Sequence, residues 1–203
     1  MATVVIDPGH GGTEMVGGSS PNNATGPSGT KEKTLTLDIG LKARNFLRLQ
    51  GVAVIMTRDS DINVGIADRV LVAKRAAAHA FLSIHFNGNM NPAVQGTETW
   101  ISNTENGDSA SAKLAQTVQE KVVAVTGYRN RGVKAESPDP SGVLDPLNHH
   151  FETAISLVEI SFLTNPEDEA RLTNVALGEQ YKMLLAEAIS FAVFDNLRTR
   201  GFL

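Results

Sequence analysis

The sequence predicts an α/β fold: a single domain in which a twisted, mostly parallel sheet of about six strands carries helices on both faces. The chain has 203 residues, 41% hydrophobic and 20% charged, which suits one globular domain with a sizeable core. Short apolar runs alternate with segments of helical periodicity, the pattern of βαβ units. Because no internal repeat, linker or low-complexity tail interrupts this pattern, we expect residues 1–203 to form one domain.

The elements follow from these runs in chain order. Runs rich in apolar and β-branched residues predict strands at 4–8, 52–56, 81–85, 97–101, 131–136 and 154–159. Helical patterns and stop signals predict helices at about 32–50, 61–78, 109–125, a short one after Asn165-Pro166, and 177–197. Asp61 is expected to cap the second helix. Residues 13–31 form a long polar loop, and such a loop is usually functional or mobile.

Composition excludes several classes of function. A net charge of −4 argues against nucleic acid as the main partner. The absence of cysteine excludes disulfides, thiolate zinc sites and cysteine nucleophiles. No run of about 18 apolar residues is present, so we expect no membrane span. No signal peptide is visible ahead of the first strand, which fits either a protein made without one or an excised mature domain.

Three predicted strands end on residues that can carry chemistry. The first, VVIDPGHGG, delivers His10 between glycines; FLSIH ends on His85; AISLVE ends on Glu159. If these strands are parallel neighbours, all three residues emerge at the carboxyl edge of the sheet, where open α/β sheets bind ligands.

A catalytic zinc site typically has three protein ligands and an open position. His10 and His85 are two candidates, and the third is expected to be Glu32, at the start of a rigid helix, rather than Glu14 in the flexible loop. Glu159 then remains as a general base whose pKa the preceding apolar residues would raise. Simpler interpretations stay open: strand-end histidines often cap, Glu32 is an ordinary first-turn acid, and Glu159 could pair with an arginine such as Arg58 or Arg69.

Four blocks of the chain carry a family resemblance. VVIDPGHGG, TKEKTLTLDIGLKARNFL, FLSIHFNG and LVEISFLTNPEDEARL resemble the signature blocks of the zinc-dependent N-acetylmuramoyl-L-alanine amidases, and the smaller blocks VAVIMTR, GTETW and RGVK also match. These are cell-wall hydrolases found among autolysins, sporulation enzymes and phage endolysins. The resemblance implies one Zn²⁺ per chain on His10, Glu32 and His85, with Glu159 catalytic. It also implies cleavage of peptidoglycan between N-acetylmuramic acid and L-alanine, hence action at the cell wall, whether periplasmic, secreted or phage-delivered.

Other features concern the substrate cleft. Asn87 is expected to contact substrate or to orient His85. His149 and His150 are either a solvated loop pair or include one residue that contacts the stem peptide. The loop before Glu32 is longer than the family usually shows, Glu14 stands where aspartate is common, and Ser161 replaces a usual glycine.

The remaining expectations are structural or concern partners. Arg58 and Arg69 are expected to form structural ion pairs, His79 to end a helix, and Trp100 to pack on the sheet. Residues 128–152 are too few for a long inhibitory insert, so we expect an open cleft. We also expect a monomer, with any wall-targeting module or activator outside this chain. The competing functions are an inactive wall-binding module and a zinc peptidase that cuts within stem peptides.

Overall fold

The apolar runs of the sequence become the strands of one sheet. The computed structural model describes residues 1–136 and 142–203. Its strands are β1 (Thr3–Pro8), β2 (Ala53–Met56), β3 (Ala80–Asn87), β4 (Thr97–Ser102), β5 (Asn130–Glu136) and β6 (Ala154–Phe162). They lie in the order β2-β1-β3-β6-β4-β5, and among the described residues the β4–β6 pair alone is antiparallel. The predicted mostly parallel sheet of about six strands is confirmed.

Helices cover both faces of this sheet, as predicted, but unequally. They are α1 (Glu32–Leu49), α2 (Ile66–Arg75), α3 (Ala110–Thr126), α4 (Pro166–Thr173) and α5 (Gly178–Thr199). On one face, α1, α3 and α5 bury the larger core, which contains Ile6, Leu82 and Val158. On the other, α2 covers a smaller core around Phe81 and Ile155. Alternate residues of a strand point to opposite faces, so one apolar run supplies both cores.

Side-chain caps begin two of the described helices, α3 and α4. The Ser109 hydroxyl caps α3 by accepting a hydrogen bond from the Ala112 amide at 3.0 Å, and Asn165 caps α4. The second helix differs from prediction, because it begins at Ile66 with Gly65 as its N-cap. Asp61 lies outside that helix and accepts hydrogen bonds from the Gly12 amide and Lys33 Nζ instead. The prediction that Asp61 caps the second helix is therefore wrong, because its carboxylate binds residues that are distant in sequence.

Residues 146–148 form a 3₁₀ turn. The expected open cleft depends in part on residues 137–141, which lie outside the described residues. None of the described helices combines the length and the apolar composition that crossing a bilayer requires.

Strand register sets the position of the functional residues. β1, β3 and β6 are parallel neighbours, so their carboxyl ends meet at one edge. His85 on β3 pairs directly with Glu159 on β6, and Glu159 pairs in turn with Glu98 on β4. Paired residues on adjacent strands project to the same face. These three side chains therefore share the face that carries α2, at the carboxyl edge predicted for the site.

Candidate metal centre

Three side chains from three separate elements converge at the carboxyl edge of the sheet. His10 follows β1, Glu32 opens α1, and His85 lies near the end of β3. Glu32 Oε1 is 3.2 Å from His10 Nε2 and 3.0 Å from His85 Nδ1. One potential ligand atom from each residue lies within 4.8 Å of the other two. The structure thus brings together the three residues that the sequence selects, whereas Glu14 is exposed and outside the cluster.

The spacing of these atoms fits a small divalent cation. A tetrahedral zinc ion with bonds of about 2.0–2.1 Å holds neighbouring ligand atoms about 3.3 Å apart. The separations of 3.0 and 3.2 Å from Glu32 Oε1 are close to that value. In addition, His10 Nε2 is buried and makes no hydrogen bond to any described residue, although it faces this carboxylate. A cation between the two groups would satisfy both.

Glu32 is fixed as a buried anion. Its side chain is fully buried, with Oε1 accepting a hydrogen bond from the Phe86 amide at 3.0 Å and Oε2 from the Ala24 amide at 2.8 Å. Burial alone would raise the pKa of Glu32, but the close contacts of its carboxylate with the His10 and His85 rings outweigh burial and lower the pKa to about 2. The carboxylate is therefore ionised at neutral pH, and a buried anion is stable only beside positive charge or donors.

The turn after β1 explains why a histidine stands between glycines. His10 adopts φ 61°, a left-handed conformation that is uncommon outside glycine. Its Nδ1 lies 3.1 Å from the Ser20 carbonyl oxygen, which leaves Nε2 for the site. Gly9 supports the other ligand, because a Cβ at this position would lie 2.3 Å from His85 Cε1. The residues around His10 thus orient its own imidazole and leave space for that of His85.

Two buried arginines hold this turn in place. Arg69 forms the expected ion pair, 2.7 Å from Asp7 Oδ1, and also donates to the carbonyl oxygens of Pro8 and His10. Arg58 differs from expectation: its hydrogen bonds go to neutral acceptors, among them the Pro8 and Gly9 carbonyl oxygens. Burial, and then the nearby Arg69 charge, lower the pKa of Arg58 to about 10.

Comparison with known proteins identifies the family of this chain. The profile of a family described as N-acetylmuramoyl-L-alanine amidase matches residues 4–192. The chain belongs to the N-acetylmuramoyl-L-alanine amidase family. Among curated relatives of this amidase family, LytC of Bacillus subtilis is 32% identical over 92% of this chain, which spans 34% of the length of LytC.

Solved structures give the same result for the fold. The crystal structure of an N-acetylmuramoyl-L-alanine amidase from Clostridium difficile 630 superposes with a TM-score of 0.83 at 32% identity, covering 98% of each chain. The CwlD amidase from Clostridioides difficile, solved in complex with the GerS lipoprotein, gives a TM-score of 0.81 at 25% identity over 98% of this chain and 100% of that one. The amidase fold predicted from the sequence is confirmed.

Glu159 stands beside the cluster on the neighbouring strand. It is half-buried and is the β6 partner of His85 in the sheet register. Adjacent strands are about 4.8 Å apart, so its backbone lies one strand spacing from that of a candidate ligand. Of the two arginines considered as partners for Glu159, Arg69 is paired with Asp7 instead.

Asn87 leads to a residue that sequence reasoning missed. Asn87 Nδ2 donates to Glu98 Oε1 at 2.8 Å, rather than to His85. Glu98 is buried and also contacts Arg131 and Lys134. The alternation in TETWI, which puts Glu98 and Trp100 on one face, and the cations of RGVK were the signals available. These signals indicate a charged cluster only when the pairing of β4 with β5 is known.

The remaining histidines and Trp100 lie outside the cluster. His149 is buried, with its ring 4.9 Å from that of Phe81 and Nε2 2.9 Å from the Val143 carbonyl oxygen, and burial lowers its pKa. It is not a solvated residue, while His150 is partly exposed, and a substrate contact from either stays a prediction. His79 does not end a helix as expected, because α2 ends at Arg75; it directly precedes β3 and accepts a hydrogen bond from the Thr3 amide. Trp100 packs on the smaller core, as expected.

Proposed function

We propose that this chain is a zinc-dependent N-acetylmuramoyl-L-alanine amidase. It hydrolyses the amide bond that joins N-acetylmuramic acid to the L-alanine of the stem peptide in bacterial peptidoglycan, and residues 1–203 act as one catalytic domain. The observation that carries the proposal is the convergence of His10, Glu32 and His85 beside Glu159, in a chain of this family.

His10, Glu32 and His85 would hold one Zn²⁺ per chain. Two imidazoles and a carboxylate form a donor set that suits zinc, and three protein ligands leave a position for water or substrate. When bound, zinc supplies a Lewis acid that polarises a carbonyl and lowers the pKa of water to about 7. The chain contributes the rigidity: Glu32 is held by two backbone amides and His10 by Ser20.

Glu159 acts as the proton carrier. Amide hydrolysis requires a base for the attacking water and an acid for the departing amine, and one carboxylate can serve as each in turn. In this proposal Glu159 accepts the water proton and delivers it to the L-alanine nitrogen. Its place on the strand next to His85 supports this role, because the base must stand next to the ligands without being one of them.

The family also bears on where the protein works and with what partner. We propose that it acts on the cell wall, in the periplasm, in secreted form or after phage delivery. CwlD was solved in complex with a lipoprotein, and LytC is longer than this chain. Both facts favour a wall-targeting module or activator outside these residues.

Product analysis of digested cell walls tests the reaction. An amidase releases stem peptides with a new L-alanine amino terminus and leaves glycan strands intact. Cleavage within stem peptides would identify a peptidase, and binding without release would identify an inactive wall-binding module. Chelation is expected to stop digestion and added zinc to restore it; undiminished digestion by metal-free protein would contradict the proposal.

The variant Glu159→Gln separates catalysis from metal binding. We expect it to keep one zinc per chain by elemental analysis and to lose about two to four orders of magnitude in rate, the usual contribution of a general base. Glu14→Gln is the matched control, because Glu14 is an exposed acid close to His10 in sequence and should leave the rate unchanged. Near-normal turnover of Glu159→Gln would remove this residue from the mechanism.

A further inference from the structure

The row of polar side chains at the site continues across the sheet beyond Glu159. His85, Glu159 and Glu98 are paired in turn across β3, β6 and β4. On β5 the register shifts, since Thr97 pairs with Asn130 but Thr99 with Val133, so two residues, Arg131 and Gly132, lie opposite Glu98. Such a bulge re-aims the side chains of its strand. Here the bulge places the cationic side chain of Arg131 at the end of the row of polar side chains.

Two cations converge on the Glu98 carboxylate. Glu98 Oε2 is 2.5 Å from both Arg131 Nε and Lys134 Nζ, while Oε1 accepts the Asn87 hydrogen bond. Each cation also lies over an aromatic ring: Arg131 Cζ is 4.9 Å from the centre of Phe162, and Lys134 Nζ is 5.0 Å from that of Trp100. Both positive groups are therefore fixed before any ligand arrives.

Among the described residues, one carboxylate forms ion pairs with both cations. Glu98 supplies one negative charge to two positive ones, and its own pKa is lowered because the contacts with Lys134 and Arg131 outweigh the effect of burial. The side chains of Arg131 and Lys134 remain 28% and 31% exposed. A guanidinium has four further N–H donors beyond Nε, and an ammonium has three donors in all. In the part of the chain that the structure describes, the hydrogen bonds from these two side chains go to Glu98 alone.

A partly exposed cluster with surplus positive charge and oriented donors is suited to a carboxylate. Glu98 holds both cations in place, but one cation would be enough to neutralise the Glu98 carboxylate. The backbones of Glu159 and Arg131 are two strand spacings apart, about 10 Å. An extended peptide advances about 3.3–3.6 Å per residue, so a peptide leaving Glu159 along the row reaches Arg131 within about three residues.

We propose that Arg131 and Lys134, held by Glu98, form a subsite for a free carboxylate of the stem peptide, within about three residues of the cleaved amide. This inference rests on the proposed amidase function and names the part of the substrate that this face of the sheet selects. The bound carboxylate orients the peptide so that its first amide lies at Glu159. Arg131 and Lys134 are thus specificity-determining residues.

The test uses two synthetic N-acetylmuramoyl peptides. They are identical except that the second residue carries either a free carboxylate or the corresponding carboxamide. We expect the wild-type protein to favour the carboxylate substrate by about ten- to a hundredfold in kcat/KM, the range of charge-assisted hydrogen bonds, with most of the difference in KM. Arg131→Gln and Lys134→Gln should each reduce this preference, and the double variant should abolish it. In each of these variants the loss of kcat/KM should be at least about fivefold larger on the carboxylate substrate than on the carboxamide substrate.

Further variants decide between recognition and structure. Arg129→Gln, which removes an exposed arginine just before β5, should keep the full preference, and Lys134→Arg should keep most of it because the charge remains. Equal loss on both substrates would mean that the cluster is only structural, and would overturn the inference. So would a wild-type protein that cuts both substrates equally. A wild-type protein that cuts neither substrate nor cell walls would remove the proposed function, and the subsite with it.

Discussion

At the scale of single residues, the turn after β1 places a side chain where the backbone favours glycine, and a glycine where a side chain would not fit. His10 holds a left-handed conformation, which costs a non-glycine residue about 1–2 kcal/mol. Gly9 has no side chain, and the ring of His85 lies where its Cβ would be. The contacts of Ser20 with the His10 ring and of Arg69 with the His10 carbonyl oxygen offset the strain. Strain of this kind is typical of functional sites.

Gly9→Ala should disrupt the metal centre by moving His85. A Cβ 2.3 Å from His85 Cε1 cannot be accommodated unless the imidazole shifts. Because support of metal ligands is worth about 10- to 100-fold in affinity, we expect zinc affinity to fall by at least that range in competition with a chromogenic chelator. Gly107→Ala is the control, since no atom lies within 4 Å of a Cβ there. Unchanged affinity in Gly9→Ala would show that His85 is not a ligand.

At the scale of elements, the sequence predicted what depends on local pattern. Strands β1, β3 and β6 were recognisable because each begins with a mainly apolar run, although β3 and β6 continue past His85 and Glu159 to Asn87 and Phe162. The start of α2 was not, because Asp61 has the chemistry of an N-cap but contacts Lys33, distant in sequence. Glu98 was missed for the same reason: its partners Arg131 and Lys134 reach it only through the pairing of β4 with β5. Contacts between distant segments decide both cases.

The long loop at 13–31 is an element in its own right, fastened by helix α4. Glu169, 2% exposed, accepts hydrogen bonds from the Ser28 amide at 2.8 Å and the Thr30 amide at 3.2 Å, and Gly26 packs against its side chain. Farther back in this loop, the Ala24 amide donates to Glu32. The loop is therefore tied both to α4 and to a candidate ligand.

Glu169→Ala should loosen this loop. Two backbone amides lose their acceptor, and because Ser28 is exposed and Thr30 half-buried, we expect each lost hydrogen bond to cost about 0.5–1.5 kcal/mol. We expect faster proteolysis within residues 13–31 and zinc affinity reduced several-fold, with amide exchange in α5 unchanged. Glu167→Ala is the matched control, because Glu167 is an exposed acid in the same helix. Equal protease resistance of the two variants would contradict this role for Glu169.

At the scale of the whole molecule, one buried ion pair joins four elements. Asp7 at the end of β1 accepts hydrogen bonds from Thr57 after β2, Ser83 on β3 and Arg69 on α2, at 2.6–2.7 Å. Asp7 and Arg69 are both almost fully buried. Breaking such a pair by removing one partner leaves the other charge uncompensated in the interior. The global stability of the fold should therefore depend on Asp7.

Asp7→Asn should lower the free energy of unfolding by about 3–5 kcal/mol at pH 7, because Arg69 stays charged and buried. Burial alone would raise the pKa of Asp7, but Arg69 and the hydroxyl donors hold it below the ordinary value of 3.8. A depressed pKa in the folded state contributes stability above that ordinary value and loses it as pH falls through the folded pKa. In urea unfolding at pH 7 and then at values below 3.8, the unfolding free energy of the wild type should approach that of the variant as pH falls, with the exposed Asp59→Asn as control. A difference that stays constant with pH would mean that the ionised form of Asp7 contributes nothing.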